Sequence, residues 1–110
     1  MKKLSIDFDN CLNTYTKEIV NYIQNNAFDE IVIISSRNIE NKYEIKQFLE
    51  QHKLENIITE IYTTNGFTNK LAKINKLKIN THIDDDEGIK TFIENNLNNV
   101  ICLKVPEELK

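Results

Sequence analysis

Two periodicities alternate along this chain. Five short apolar runs, Leu4 to Phe8, Ile31 to Ile34, Ile57 to Tyr62, Ile79 to Ile83 and Val100 to Leu103, are strand-length and mostly β-branched. Between them, apolar residues recur at helical spacing: Ile19, Val20 and Ile23; Ile45, Phe48 and Leu49; Leu71, Ile74 and Leu77; Ile89, Phe92 and Ile93. Strands that are apolar on both sides need cover on both sides, and strands separated by helices pair in parallel through right-handed crossovers. The pattern predicts an α/β, three-layer Rossmann-like fold, a five-stranded parallel sheet with helices on both faces. Its 110 residues suit a single domain, 1–110, and the only proline, Pro106, lies beyond the last run. Gly66 and Gly88 fall beside predicted helix starts, so no linker is expected.

Charge narrows the function classes. Lys and Arg total 14 against 17 Asp and Glu, a net charge of -3, so there is no basic excess for a nucleic-acid or membrane surface. No run is long enough to span a bilayer, and Met-Lys-Lys leads straight into a short strand rather than a signal-peptide core. Cys11 and Cys102 stand far apart without ligand spacing, which argues against a disulfide framework or zinc site and for a reducing cytoplasm.

Ligands of such a sheet bind outside the carboxyl ends of its strands. The polar residues expected there are Asp7 and Asp9 after the first strand, Ser35, Ser36 and Arg37 after the second, and Asp84, Asp85 and Asp86 after the fourth, with Lys70 entering the third helix. Carboxylates crowded at neighbouring strand ends repel one another and favour a hard cation such as Mg²⁺, bound at about 2.1 Å. A Ser35 hydroxyl and a Lys70 ammonium would supply the donor and positive charge that a phosphoryl group needs. An ionised aspartate can attack phosphorus, while a second carboxyl protonates the leaving oxygen and later activates water.

Four segments, in order, resemble the motifs of the haloacid dehalogenase (HAD) superfamily. Asp7-Phe8-Asp9-Asn10-Cys11-Leu12 is similar to its Asp-x-Asp motif, and Ile33-Ile34-Ser35-Ser36-Arg37 to the strand ending in Ser or Thr. Lys70 resembles its third motif, and His82-Ile83-Asp84-Asp85 its acidic fourth. Asn10 and Cys11 depart from the usual Gly and Thr or Val. The resemblance implies a Mg²⁺-dependent phosphatase with Asp7 as nucleophile and metal ligand and Asp9 as general acid/base that also offers its backbone carbonyl to the metal. It further implies Asp84 as a second carboxylate ligand, Asp85 assisting directly or through water, and Ser35 and Lys70 holding the phosphoryl group. The intervals where the family inserts a cap leave no room for one, so the expected site is open. Its substrate would be a phosphorylated small molecule or macromolecular end, and a neighbouring subunit in a homo-oligomer is one way to cover it.

Other readings of the same residues stand beside these. Asp86 and Glu87 suit the positive end of the fourth helix, and Ser36 suits either a helix cap or a loop. Lys70 competes with Lys73, Lys76 and Lys78, and Arg37 either reaches a substrate phosphate or forms a surface salt bridge. His82 and His52 read as structural or surface residues, and Cys11 as a packed thiol. A HAD-like binding module without turnover is one functional alternative. A phosphorylation-receiver domain is another, but it needs an acid after the third strand, where this chain has Tyr62-Thr63-Thr64.

Overall fold

The computed structural model describes residues 1–109. Five strands, β1 (Lys3–Ile6), β2 (Glu30–Ser35), β3 (Glu60–Thr63), β4 (Thr81–Asp84) and β5 (Ile101–Lys104), form one parallel sheet in the order β3-β2-β1-β4-β5. Four helices, α1 (Thr16–Gln24), α2 (Lys42–Gln51), α3 (Phe67–Lys76) and α4 (Glu87–Asn96), fill the connections in turn. Each crossover thus holds a single α-helix.

Alternation along the strands sorts the core into two clusters. Leu4, Ile6, Ile31, Ile33 and Ile83 pack with Ile19 of α1 and with Ile45 and Leu49 of α2. The intervening Val32, Ile34 and Cys102 pack with Leu71 and Ile74 of α3 and with Ile89 and Ile93 of α4. Ile33 and Ile83 are wholly buried, and cutting either back to Ala should cost about 2–5 kcal/mol.

Several predicted boundaries shift for local reasons. Phe8 has left β1, because Asp9 and Asn10 turn the chain there, Asn10 adopting the left-handed conformation at φ 56° and ψ 17°. Asparagine tolerates that region almost as glycine does, so the departure from Gly at this position keeps the turn. Ile57 and Ile58 belong to a turn closed onto the Leu54 carbonyl, and β3 begins only at Glu60. Ile79 ends the α3 turn, donating to Ile74, before β4 starts. Phe92, read as part of the α4 stripe, is exposed instead.

The strand order reverses at β1, since the chain moves outward through β2 and β3 and then returns to the other side of β1 for β4 and β5. The crevice between the carboxyl ends of β1 and β4 is therefore the topological switch point, where such sheets place ligands. Asp7 follows β1 and Asp84 ends β4, and the Asp7 amide donates to the Ile83 carbonyl at 2.9 Å.

Candidate active site

Five residues beyond β1 form a wide turn, Phe8–Leu12, in which the Leu12 amide donates back to the Asp7 carbonyl and the Asn13 amide to that of Phe8. The buried Cys11 thiol points to the Ile83 carbonyl at 3.7 Å, fastening the turn to β4. Burial, reinforced by the charges of Asp7, Asp84 and Asp85, pushes this thiol far above the ordinary thiol range, so it is a packing group rather than a nucleophile.

Carboxylate oxygens of Asp7, Asp84 and Asp85 lie within 4.8 Å of one another. The Lys70 ammonium bridges two of them, 2.7 Å from Asp7 Oδ1 and 2.9 Å from Asp84 Oδ2. Lys70 is only 1 % exposed, a burial that a lysine tolerates when it is paired on this scale. Lys70 precedes Ile74 by one helical step of four residues, so it shares the buried face of α3 with Leu71 and Ile74. Were all three carboxylates ionised, as they would be around a bound cation, the one ammonium would leave two negative charges unbalanced. A hard dication with oxygen ligands fits that donor set and that charge.

Protonation equilibria record the same crowding. Burial raises the Asp7 carboxyl from its ordinary 3.8 to about 7, with Asp84 adding to the rise and Lys70 opposing it. Burial would raise Asp84 as well, but the hydrogen bonds from His82 and Lys70 and the charge of Lys70 hold it well below the usual carboxylate range. Lys70 would be lowered by burial, yet Asp7 and Asp84 overcome this and keep it protonated.

Behind Asp84 runs a buried polar chain. His82 Nε2 lies 2.7 Å from Asp84 Oδ2, and His82 Nδ1 lies 2.7 Å from Ser5 Oγ. Burial lowers the His82 pKa, leaving the ring neutral at pH 7. A neutral ring facing a carboxylate carries its proton on Nε2, so Nε2–H donates to Asp84 and Nδ1 accepts the Ser5 hydroxyl proton. The Asp86 amide donates to Asp84 Oδ1 at 3.1 Å. Asp86 itself caps α4, accepting from the Gly88 and Ile89 amides, and Glu87 pairs with Lys104 at 3.0 Å.

The remaining predicted residues lie at the end of β2, in the loop after it and in the turn after β1. Ser35 is fully buried at the end of β2, where its Oγ accepts from the Arg37 amide at 3.1 Å and so keeps its own proton for another acceptor. Ser36 caps no helix, since the chain bends at Ser36 and Arg37 and the short turn Ile39–Asn41 starts only after Asn38; its carbonyl accepts from the Gly66 amide. The Asp9 carboxylate does not join the acidic cluster. It forks onto Arg37 instead, with Nε to Oδ2 and Nη2 to Oδ1 both at 2.8 Å.

Asp7, Asp84, Asp85 and Lys70 are thus brought together, Ser35 ends the strand beside β1, and Asp9 is turned to Arg37. The Asp9–Arg37 fork and the Ser5–His82–Asp84 chain are the features that the sequence reading missed. Ser5 and His82 carried a signal, being polar residues inside runs predicted to be apolar on both faces, where each needs a buried partner. Their strands pair so that Ser5 and His82 are register partners. No family model matches the chain, and neither a curated protein nor a solved structure matches it.

Proposed function

We propose that this chain is a Mg²⁺-dependent phosphomonoesterase of the HAD superfamily that works through an aspartyl-phosphate on Asp7. The observation that carries the reading is the cluster at the switch point, where Asp7, Asp84 and Asp85 meet and Lys70 bridges two of them. In this reading the two core clusters are the two faces of a three-layer, capless HAD-like fold, working in the cytoplasm.

Mg²⁺, held by Asp7, Asp84, Asp85 and the Asp9 carbonyl, would neutralise the crevice and polarise the phosphoryl oxygens. Lys70 and the Ser35 hydroxyl hold the remaining phosphoryl oxygens. An Asp7 carboxylate oxygen attacks phosphorus, and the bond to the ester oxygen breaks as the Asp9 carboxyl gives that oxygen a proton. Asp9, now ionised, takes a proton from water, whose oxygen attacks the phosphorus of the acyl phosphate. Inorganic phosphate leaves and the Asp7 carboxylate is restored.

A specific observation favours a second reading, a phosphate-binding module without turnover. The carboxyl assigned to proton transfer is held by Arg37 and must leave it to act. A receiver domain has no such support, because β3 ends at Thr63 with Thr64 and Asn65 following, and no acid stands there. Turnover of an aryl phosphate in Mg²⁺, abolished by EDTA and by Asp7→Asn, tests the enzymatic reading. Unchanged turnover in Asp7→Asn would remove it.

A further inference from the structure

Arg37 is held in place from several sides. Its guanidinium carbon lies 5.3 Å from the centre of the Phe8 ring, which itself packs edge-on against Phe48 at 5.2 Å. Nη1 is 3.4 Å from Glu44 Oε2 and 3.5 Å from the Asn41 carbonyl, and the Arg37 amide is tied to Ser35 Oγ. Only the Nε and Nη2 edge faces Asp9. The guanidinium is therefore oriented by partners other than Asp9, and it would keep its place if Asp9 left.

The Asp9 side chain is 43 % exposed, so it has open space to move into. An open cavity of about 300 Å³ reaches the guanidinium from α2, lined by Phe8, Asn13, Arg37, Glu44 and Phe48 among others and not by Asp9 or the acidic cluster. Resting on the phosphohydrolase reading, in which Asp9 serves the leaving oxygen, this edge of Arg37 borders the leaving group rather than the phosphoryl group. A planar fork of two N–H donors matches two oxygens of one carboxylate or phosphate, a geometry that lysine lacks.

We infer that Arg37 is a specificity-determining residue: its fork exchanges Asp9 for a second anionic group on the leaving side of the substrate. The substrate class is accordingly a phosphate monoester whose alcohol carries a carboxylate or a further phosphate a few bonds from the ester oxygen. The exchange also frees the Asp9 carboxylate, which takes a proton from water before serving the leaving oxygen, only when such a substrate is bound, so an empty or mismatched site keeps this carboxylate paired with Arg37.

Two matched pairs test this. Ethyl phosphate is compared with phosphoglycolate, whose carboxylate replaces the methyl group, and hydroxyethyl phosphate with ethylene bisphosphate. The expected result is a preference of about tenfold or more in kcat/KM for the anionic member of at least one pair, the size of a charge-assisted pair. The pair that shows it names the anion. The preference should fall to about twofold or less in both Arg37→Ala and Arg37→Lys, the latter guarding against simple misfolding.

The same ratios are read as binding by calorimetry on an Asp7→Asn background, where no turnover is needed. There, Asp9→Asn should tighten binding of the anionic member by removing its competitor, and Arg37→Ala should cancel the gain. Preference and Arg37 dependence in binding, without any turnover by the unsubstituted protein, would leave the anion site standing while the phosphohydrolase reading falls. Hydrolysis with equal rates in both pairs, or a preference that survives Arg37→Ala, would overturn the inference.

Discussion

Lys70 meets Asp7 across 63 positions of sequence, Nζ to Oδ1 at 2.7 Å, in a place that excludes almost all water. Because Asp84 shares the same ammonium, removing it leaves two buried carboxylates facing each other. Breaking a buried ionic group from one side costs about 3–5 kcal/mol. Lys70→Met should destabilise the metal-free protein by about that amount in urea unfolding, and Mg²⁺ should stabilise the variant more than the parent. Equal stability of variant and parent would mean that the ammonium is not what holds these acids together.

The raised Asp7 pKa makes the metal effect depend on pH with a definite sign. A folded-state value above the unfolded one means that protonation favours the metal-free fold, a contribution complete below the ordinary 3.8 and lost as pH rises through about 7. In the proposed reading Mg²⁺ would compete with that proton. Its stabilisation should therefore be small near pH 5 and approach about 2.7 kcal/mol, of the order of 10 °C in Tm, above pH 7 at a hundredfold excess over Kd. Taking the difference with and without Mg²⁺ removes contributions common to both states, including the opposite pH dependence of His82. The same shift at both pH values, or an unaltered profile in Asp7→Asn, would contradict the assignment.

Asp84→Asn keeps the shape of the strand end but removes a charge from the cluster. The expected outcome is a Mg²⁺ requirement at least about tenfold higher, read as the metal concentration for half-maximal turnover or by calorimetry. An unchanged titration would take Asp84 off the list of ligands.

His82 should be neutral at pH 7 with its proton on Nε2, a tautomer that nitrogen-resolved NMR distinguishes directly. Ser5→Ala would strand the buried Nδ1 and cost about 1–3 kcal/mol. A proton found on Nδ1 would reverse the direction of the whole buried chain.

The turn after β1 offers a backbone test. Asn10 sits at φ 56°, so Asn10→Gly should be tolerated while a β-branched Asn10→Val should lose about 1–2 kcal/mol. Equal melting temperatures for the two variants would show that this conformation is not needed.

The sheet was legible because its strands are β-branched runs at helix-length intervals, a pattern that few folds share. Exact ends were not, since Phe8 and the Ile57–Ile58 pair are as apolar as strand residues and are diverted only by a left-handed Asn10 and by hydrogen bonds to Leu54. Asp7 and Asp84 could be located as acids terminating neighbouring strands. Lys70 could also have been separated from Lys73, Lys76 and Lys78 without any resemblance, because it alone stands four residues before the buried Ile74. What no local pattern could announce was the destination of the Asp9 side chain. Its partner Arg37 lies 28 positions away, and their pairing depends on the path of the loop after β2.

Placing a cation within the apolar stripe of α3 also settles how that helix lies along the sheet. A slip of four residues in either direction would present Gly66 or Ile74 to the carboxylates in place of Lys70, stranding both acids in a dry crevice. The chemistry of the crevice and the alignment of the helix are in this way one constraint, and the mispaired packings open to a purely greasy helix are closed to this one.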